Sequence, residues 1–398
     1  MTVPLDHPTT DLDLFSAETV ADPFPALAHL RSLGPAVYST KYDFFLLTRY
    51  EDVRGAAADW QTFTSAHGVA LTAEFNKQLE GSVLATDPPE HDALRAVLSD
   101  KLAPRGLAKI RQQISDYAHE LVGQTVARET FDGVLDIARV FPINVVADLV
   151  GLPREGREYM HPGADATFAG FGPFGDYVQE HLPQLRSYHE WMATMADRSK
   201  LTPGGWGEAI MDAVDDGRLT QLGAIRTVSA YLTAGMDTTV NAIAALMRLF
   251  AERTDVWEAL KAEPRLAGPI FEEILRLEAP VSGFFRIARQ DVAVGDVTVP
   301  AGARVMLHWA AANRDPAKYP DPDRFDITRN PLDHVAFGYG VHACAGQGLA
   351  RMEAVTLLEA LAARIDTIDL AGDPVRGRNP VVRGFDSVPL RVTARRAA

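Results

Sequence analysis

The only cysteine of the chain, Cys344, lies in a glycine-rich segment that suits it for chemistry. The segment from Phe337 to Gly346 reads Phe-Gly-Tyr-Gly-Val-His-Ala-Cys-Ala-Gly. Its three glycines allow the backbone to turn tightly and to approach a flat ligand closely. A helical pattern resumes at about Cys344, and backbone N–H groups at the start of a helix favour the thiolate. A thiolate can bind a metal or act as a nucleophile.

Two other interpretations of Cys344 stand beside this one. A lone cysteine is most often a small buried hydrophobe, and a cysteine near His342 could be a thiol nucleophile with a histidine base. Neither explains why glycines and a phenylalanine recur at fixed spacing in the same segment. The pattern favours a cysteine that faces a bound group, with His342 within reach of an anion at the rim of that group.

A second candidate, Asp237, lies in a long predicted helix from about Gln221 to Glu252. That helix would be ~48 Å long at about 1.5 Å per residue, and Asp237 is its only charged residue between Arg226 and Arg248. Several threonines make the helix too polar to span a membrane, so it is expected to run through the protein core. An unpaired buried carboxylate costs several kcal/mol, which makes Asp237 a functional candidate.

The residues beside Asp237 suit a small ligand. Gly235 removes a side chain from the helix surface and leaves room for a diatomic molecule. The Thr238 hydroxyl can donate a hydrogen bond to the Ala234 carbonyl one turn earlier. The plainer alternative, that Thr238 and Thr239 only satisfy their own hydroxyls against the helix, leaves Asp237 unexplained.

These motifs resemble the cytochrome P-450 family, and the resemblance covers nearly the whole chain. The cysteine segment is similar to the haem-ligand loop of bacterial members, and residues 234–239 resemble the family's Ala-Gly-x-Asp/Glu-Thr segment. The resemblance implies the cytochrome P-450 fold, mainly α with small β-sheets, and a haem-thiolate monooxygenase. It also implies heme b (iron protoporphyrin IX) ligated by Cys344, O2 bound beside Gly235, and catalytic roles for Asp237 and Thr238 in supplying protons.

The resemblance extends to residues that would bind the haem propionates. The segment from Asp87 to Arg95 looks like the family's helix that borders the haem, and His91 and Arg95 share one helix face at i and i+4. Together with Arg286 and His342, they are expected to bind the two carboxylates of the porphyrin.

A further match concerns folding. Glu273 and Arg276 match the family's Glu-x-x-Arg and, at i and i+3, can pair on one helix. The segment from Pro320 to Phe325 follows at the family's expected distance. Arg324 is therefore expected to complete a salt-bridge network that serves folding and haem retention.

The chain contains no Rossmann fingerprint and no flavin segment, so electrons must come from outside. The resemblance implies electrons from NAD(P)H, delivered through a ferredoxin reductase and a ferredoxin. The ferredoxin is expected to dock on the face nearest Cys344, where the candidate contacts are Lys101, Arg105 and Arg351. Two alternatives are a peroxide-driven haem-thiolate enzyme and a non-catalytic haem-binding sensor. Neither needs the acid–alcohol pair of the core helix.

The substrate is inferred from resemblance to one branch, the soluble bacterial enzymes that oxidise para-substituted benzoates. Five apolar residues are expected to contact the ring of a small aromatic substrate. They are Phe168, Phe171, Val281, Phe284 and Phe385. The alternative is that these residues belong to the core.

One departure from that branch concerns the substrate carboxylate, which the branch holds with arginine and serine side chains. The matching positions here are Gln78, Gly81, Ala230 and Thr233. Lys77 is the only full cation between residues 66 and 86, and a buried carboxylate without a partner is costly. The expected reaction is hydroxylation or O-dealkylation, such as O-demethylation, of a para-substituted benzoate or a neutral phenol.

The elements around these motifs are read from periodicity and composition. Two short apolar runs predict a β-hairpin at residues 36–49, and two alternating arms around Gly295-Asp296 predict another at residues 291–299. Helical periodicity runs from about residue 50 to 279 and from about 344 to 365. With 47% hydrophobic and 23% charged residues and no linker or repeat, the 398 residues are predicted to form one domain, residues 1–398.

Charge and the first residues bear on partners and location. The net charge of −14 (39 − 53) makes nucleic acid and anionic membranes poor partners. The first fifteen residues carry no apolar core, which argues against a signal peptide or a membrane anchor. A cytoplasmic enzyme is expected.

Overall fold

The structure, a computed structural model, describes residues 7–195 and 197–395. Helices dominate it. They are α1 (Ala17–Ala21), α2 (Phe24–Leu33), α3 (Tyr50–Ala58), α4 (Ala73–Leu79), α5 (Glu90–Leu102), α6 (Pro104–Ala108), α7 (Arg111–Val126), α8 (Val140–Val150), α9 (Met160–Ala169), α10 (Asp176–Thr194), α11 (Trp206–Asp215), α12 (Gln221–Glu252), α13 (Thr254–Ala262), α14 (Ala267–Glu278), α15 (Trp309–Ala312) and α16 (Gln347–Arg364).

The strands form small sheets. They are β1 (Thr9–Thr10), β2 (Val37–Ser39), β3 (Phe44–Leu47), β4 (Phe63–Thr64), β5 (Thr130–Asp132), β6 (Phe284–Ala288), β7 (Val292–Val294), β8 (Val297–Val299), β9 (Arg304–Leu307), β10 (Ile365–Leu370), β11 (Val375–Arg376), β12 (Phe385–Ser387) and β13 (Pro389–Ala394). The largest sheet has the order β1-β2-β3-β9-β6-β4, the second has the order β10-β13-β5, and β7-β8 and β11-β12 form two-stranded ribbons. The predicted fold class, mainly α with small β-sheets, is confirmed.

Helix α12 has the predicted bounds and runs through the core. Its first turn is capped by the Thr220 hydroxyl, which accepts a hydrogen bond from the backbone N–H of Gly223 at 3.0 Å. Helices α8, α9, α11, α14 and α16 pack around it, so both of its faces meet protein, as a helix without a charged face requires. Within residues 7–195 and 197–395, no helix combines the length and apolarity needed to cross a bilayer.

Both predicted hairpins are present. Strands β2 and β3 pair in antiparallel register with Tyr38 opposite Phe45. Strands β7 and β8 pair around Gly295, whose φ of 58° lies in the left-handed region that a tight turn needs. The first hairpin follows from two short apolar runs, and the second from alternation on either side of a turn.

The Glu273–Arg276 pair lies on α14 and is fully buried. Two hydrogen bonds of 2.8 Å join the guanidinium to the carboxylate. Arg276 also donates to the backbone carbonyls of Asn313 at 2.9 Å and Pro322 at 2.7 Å. These bonds tie α14 to the chain that leads toward the cysteine segment.

The prediction that the Arg324 side chain completes this network is wrong. Arg324 ends a turn that starts at Asp321, and its side chain is 61% exposed and pairs with Asp326. Only its backbone carbonyl accepts a hydrogen bond from Arg276, at 3.3 Å. The third side chain is instead Arg329, which returns to donate to Glu273 at 3.2 Å.

Candidate cofactor and substrate site

A large, mostly apolar cavity is lined by α12 and by the segment that carries Cys344. Residues from α5, α9, β6 and the first turns of α16 complete its wall. Predicted site residues on this wall are Cys344, His91, Arg95, Arg286, His342, Gly235, Thr238, Phe168, Phe171, Val281 and Phe284. Asp237 and Phe385, also predicted site residues, do not line the cavity.

The cysteine segment forms a tight loop against the cavity. Gly338 and Gly340 have φ values of 68° and 74°, in the left-handed region. A Cβ at Gly340 would come within 2.4 Å of the Ala57 carbonyl oxygen. The backbone N–H of Cys344 donates to the Phe337 carbonyl at 2.8 Å, which closes the loop and brings the cysteine onto the cavity wall.

The sulfur environment differs from the prediction in one respect. Helix α16 begins at Gln347, three residues after the cysteine. Burial raises the pKa of the Cys344 thiol above its ordinary value, although the backbone N–H groups of Gly346 and Gln347 and the charge of Arg95 lower it. The thiol of the protein alone is therefore neutral at pH 7. A coordinating metal ion would remove the proton.

Basic side chains on the cavity wall outnumber their acidic partners, of which exposed Asp92, 2.9 Å from Nδ1 of His91, is one. The rings of His91 and His342 are 4.5 Å apart, and the buried Nε2 atom of each has no hydrogen-bond partner among the described residues. Arg286 is buried and donates to the Phe285 carbonyl at 2.7 Å. Arg95 donates to two backbone carbonyls of the cysteine segment, at 2.6 and 3.3 Å.

The buried carboxylate near this group is already engaged. Asp87 lies 4.0 Å from Nε2 of His342, but it also accepts hydrogen bonds from Thr64 and, at 2.6 Å, from Arg289. Burial lowers the pKa of His342 to about 2, reinforced by Arg286 and other nearby basic groups, and burial lowers the pKa of Arg286 to about 10. Two propionates would relieve this excess of donors, so the residues fit a haem.

The helix face toward the cavity carries the predicted glycine and threonine. The Thr238 hydroxyl donates to the Ala234 carbonyl at 2.7 Å, as predicted. A Cβ added at Gly235 would lie 3.3 Å from Cγ2 of Val146, a cavity residue of α8. Gly235 therefore allows α12 and α8 to pack closely where both border the cavity.

Asp237 faces the other side of α12. Its side chain is 1% exposed, its Oδ1 atom lies 3.5 Å from Nε2 of His161, and its Oδ2 atom has no hydrogen-bond partner among the described residues. Burial, with the charge of Asp165, raises the pKa of Asp237 well above its ordinary value. Burial therefore favours the protonated form of this side chain more than it would at an exposed aspartate.

Aromatic rings cluster at another part of the cavity. Phe171 lies at the centre, with ring centroids 5.1 Å from Phe284, 6.1 Å from Phe168 and 5.1 Å from Phe75. Phe75 was not predicted, because its role depends on how α4 folds over the residues after α9. A Cβ at Gly170 would come within 2.4 Å of the Phe75 ring, so a glycine there permits this approach.

The predicted substrate contact of Phe385 is not supported by its position. Phe385 is buried in the core, and guanidinium groups lie over its ring, Arg376 at 3.8 Å and Arg248 at 5.3 Å from the centroid. These cation–π contacts explain why an aromatic side chain occupies this position, and no ligand is needed to explain it. Phe385 is therefore a core residue rather than a substrate residue.

Two polar side chains on the cavity wall were missed by sequence reasoning. Ser82 is 8% exposed, and its hydroxyl has no hydrogen-bond partner among the described residues. Arg226, from the first turns of α12, donates to the Glu80 carbonyl and pairs with no acidic side chain in the described parts of the chain. Arg226 lies on α12, far in sequence from the loop after α4 that it contacts, so the residues of that loop alone could not indicate it.

Glu353 is a further residue that sequence reasoning did not single out. It lies on α16, is fully buried and lines the cavity. Neither carboxyl oxygen has a hydrogen-bond partner among the described residues, and burial raises the pKa of Glu353 well above its ordinary value. The sequence gives little local signal for it, because Gln347 and Arg351 on the same helix are polar as well.

Comparisons with known proteins place these features in a family. The family model described as Cytochrome P450 matches residues 269–364. Cytochrome p450 CYP199A2 of Rhodopseudomonas palustris is 37% identical over 402 aligned positions, covering 99% of this chain and 97% of that protein. A crystal structure of epothilone D-bound cytochrome P450epoK superposes with a TM-score of 0.86 at 27% identity, covering 96% of this chain and 99% of that one.

The chain therefore belongs to the cytochrome P450 family. It is a P450 monooxygenase with the P450 fold, as the motifs predicted, and membership in this family implies haem and O2. Another relative, the beta-dihydromenaquinone-9 omega-hydroxylase of Mycobacterium tuberculosis, is 31% identical over 97% of this chain and 79% of that protein. Since the named ligands of relatives differ so widely, the substrate has to be argued from this chain's own cavity.

Proposed function

We propose that this P450 inserts one oxygen atom from O2 into a small para-substituted aromatic compound, by hydroxylation or by O-dealkylation. The observation that carries the proposal is the ring cluster around Phe171 on the wall of the cavity that also contains Cys344 and Thr238. Aromatic walls favour flat ligands through offset and edge-to-face contacts. Val281 adds an apolar contact on the same wall.

Cys344 would hold the iron of heme b, and His91, Arg95, Arg286 and His342 would hold the propionates. Haem with a thiolate ligand supplies cleavage of the O–O bond of O2 and transfer of one oxygen atom to the substrate. The protein contributes the thiolate, the donors that satisfy the propionates and an apolar space that excludes water.

The cavity face of α12 would manage oxygen and protons. Gly235 would leave the space for O2. The Thr238 hydroxyl donates its own hydrogen to the Ala234 carbonyl, so its lone pairs would accept from and orient a proton donor in that space. Asp237 would supply protons from the far side of the helix. This acid–alcohol pair supports an O2-dependent monooxygenase over a peroxide-driven enzyme or a haem-binding sensor, since neither alternative requires protons at this place.

The polar residues of the cavity bear on the substrate's own polar group. Arg226 offers a cation and Ser82 offers a free hydroxyl, from α12 and from the loop that Arg226 contacts. A carboxylate bound by both would be paired and hydrogen-bonded, which removes the cost of burying it. This favours a para-substituted benzoate. A neutral phenol is the second candidate, because its hydroxyl needs no cation and can form a hydrogen bond with Ser82.

Electrons would come from NAD(P)H through a ferredoxin reductase and a ferredoxin in the cytoplasm. P450 enzymes without a fused reductase depend on separate proteins for reduction, and the sequence contains no nucleotide-binding fingerprint.

The substrate proposal is tested by the low-to-high-spin shift of the purified ferric enzyme. We expect 4-methoxybenzoate to give a larger shift and tighter binding than 4-methoxyphenol. Arg226→Gln should weaken benzoate binding about ten-fold, the equivalent of ~1.4 kcal/mol, and leave phenol binding nearly unchanged. Lys77→Ala is the matched control, since exposed Lys77 does not line the cavity.

If neither compound binds, the aromatic proposal is overturned. If benzoate binding depends on Lys77 rather than on Arg226, the substrate carboxylate binds near Lys77 instead.

The haem-thiolate assignment has its own check. The carbon monoxide complex of the reduced enzyme should show the Soret band that gives the family its name, and Cys344→His should abolish that band. A band retained in Cys344→His would overturn the assignment of the iron ligand.

A further inference from the structure

Asp237 lies in a polar pocket on the side of α12 that faces away from the cavity. Several groups face this pocket from the surrounding elements. They are His161 and Asp165 on α9, Arg139 just before α8, Asp386 on β12, Tyr177 and His181 on α10, Asn379 in the chain before β12, and Asn241 on α12 itself. Only a group that can both gain and lose a proton, and that meets solvent, can resupply Asp237 after it has given a proton away.

Asp165 and its neighbours are already engaged. Asp165 accepts hydrogen bonds from the Tyr177 hydroxyl at 2.7 Å and from Nδ2 of Asn379 at 2.9 Å. Burial raises the pKa of Tyr177 far above its ordinary value, and the charge of Asp165 raises that pKa further. Arg139 lies 3.6 Å from Asp386, and a guanidinium does not give up a proton in proteins. Asp165 and Arg139 thus set the charge of the pocket. Asp386 also meets solvent, but it pairs with Arg139 and makes no hydrogen bond to Asp237 among the described residues.

His161 is the group that remains. Its Nε2 atom, on α9, lies 3.5 Å from the Asp237 carboxyl. Its side chain is 17% exposed, whereas that of Asp237 is 1% exposed, so the imidazole lies between the carboxyl and solvent. Burial lowers the pKa of His161 to about 3, with a contribution from Arg139. The neutral ring thus carries one lone pair and one N–H, as a relay requires.

We propose that His161 carries protons from solvent to Asp237, a role that rests on the proposed function of Asp237. When Asp237 has given its proton toward Thr238, the carboxylate takes a proton from Nε2 of His161. The ring gains a proton from water at Nδ1, so that the Nδ1–H bond forms as the Nε2–H bond breaks. The resulting tautomer returns to the first by a turn of the ring or by exchange with water. One proton enters from solvent for each proton delivered.

The test compares three variants of the haem-loaded enzyme with its substrate and redox proteins. His161→Gln keeps a polar side chain but cannot relay a proton. His181→Gln is the matched control, because His181 stacks on Tyr177 at 4.1 Å beside the same pocket without contacting Asp237. Asp237→Asn reports the contribution of the acid itself. Substrate binding should be unchanged in His161→Gln, since His161 does not line the cavity.

Two readouts separate a relay from a structural role. The rate of NAD(P)H consumption in His161→Gln should fall about ten-fold, at or below the usual contribution of a proton-transfer group, and its solvent deuterium isotope effect should increase. Independently of turnover, hydrogen–deuterium exchange of the Asp237 carboxyl, followed by its infrared band, should slow in His161→Gln. The band is identified by its loss in Asp237→Asn.

The outcomes are distinguishable. If Asp237→Asn slows turnover while His161→Gln shows the wild-type isotope effect and exchange rate, the relay through His161 is overturned and the proposed function stands. If Asp237→Asn also leaves turnover unchanged, the proton role of Asp237 fails and the relay fails with it. An equal effect of His181→Gln and His161→Gln would show that any disturbance of the pocket suffices, which overturns the specific role of His161.

Discussion

Asp237 and Thr238 are adjacent in the chain yet face different sides of α12. Consecutive residues of a helix are about 100° apart, since 3.6 residues make one turn. Thr238 consequently lines the cavity, while the Asp237 carboxyl meets His161 behind the helix. Protons would therefore pass around the helix rather than along the cavity, and the two residues should give different phenotypes when replaced.

Thr238→Ala should uncouple turnover. Without the hydroxyl that donates to the Ala234 carbonyl, oxygen would be reduced without reaching the substrate. NAD(P)H consumption should continue, while product per NAD(P)H falls about ten-fold, in line with the low end of proton-transfer contributions, and hydrogen peroxide appears instead. The measurement is the ratio of product and peroxide to NAD(P)H consumed.

Thr239→Ala is the control for Thr238→Ala, because Thr239 is the next residue and also lines the cavity. Thr238→Ser should retain most of the coupling, since it keeps the hydroxyl. An unchanged product yield in Thr238→Ala would remove the assigned role. Asp237→Asn should instead slow NAD(P)H consumption itself, because the acid supplies protons rather than steering them.

Individual residues were predictable where a local motif determines them. Cys344 lies in a loop whose glycines have left-handed φ values, and the Thr238 bond to Ala234 spans a single helix turn. Ser82, Arg226 and His161 were not predictable in this way. Each meets its site through packing between elements distant in sequence, and no spacing along the chain encodes such a contact.

At the scale of elements, the buried pair on α14 links the helix to the segment that leads into the cysteine loop. Glu273 accepts from Arg276, from Arg329 and from the backbone N–H of Asp326 at 3.0 Å. A buried ion pair adds little when compared with apolar residues, but removal of one partner leaves a buried charge uncompensated. The network therefore fixes the position of this segment more than it raises stability.

Glu273→Gln should destabilise the protein by about 3–5 kcal/mol, because Arg276 would remain buried without its carboxylate. The measurement is the free energy of unfolding in urea, together with the rate at which haem is lost. Asp323→Asn is the control, since the carboxylate of Asp323 is 72% exposed and pairs with Arg314 at 2.9 Å. That surface pair should be worth about 0–1 kcal/mol. Equal losses in the two variants would refute the structural role of the buried pair.

Elements were predicted better than their connections. The bounds of α12 followed from a long run with a single charged residue between Arg226 and Arg248. The first hairpin followed from two short apolar runs, and the second from alternation around a turn. The position of Arg324 did not follow, because a turn beginning at Asp321 directs that side chain to solvent and lets Arg329 reach Glu273. Side-chain direction after a turn depends on backbone angles that the motif alone does not specify.

At the scale of the molecule, a net charge of −14 means that an acidic ferredoxin needs a local basic area. Arg105 is exposed on α6, and Leu107 of the same helix lies against Gly348 at the start of α16, where an added Cβ would be 2.8 Å away. Arg351 is less available than predicted, because it pairs with Glu272 at 2.6 Å. We therefore expect the docking face to centre on Lys101 and Arg105 rather than on Arg351.

The rate of reduction by a small acidic ferredoxin should fall as ionic strength rises, because screening becomes strong beyond about 10 Å at 0.1 M salt. Arg105→Glu should reduce the rate at low salt and flatten its salt dependence. Arg378→Glu is the control, since the Arg378 side chain is 68% exposed and lies beside Tyr177 on α10. Reduction that does not respond to salt would argue against electrostatic docking at this face.

The two faces of α12 also bear on how this enzyme can change over time. Substitutions at Ala230, Thr233 or Ser229 alter the cavity wall, while Asp237 and Asn241 point into a separate pocket built by other elements. Selection, or a protein engineer, can therefore retune substrate preference along one stripe of a single helix without rebuilding the proton supply on the other. Such modularity within one element would let substrate range diversify while the oxygen chemistry is inherited intact.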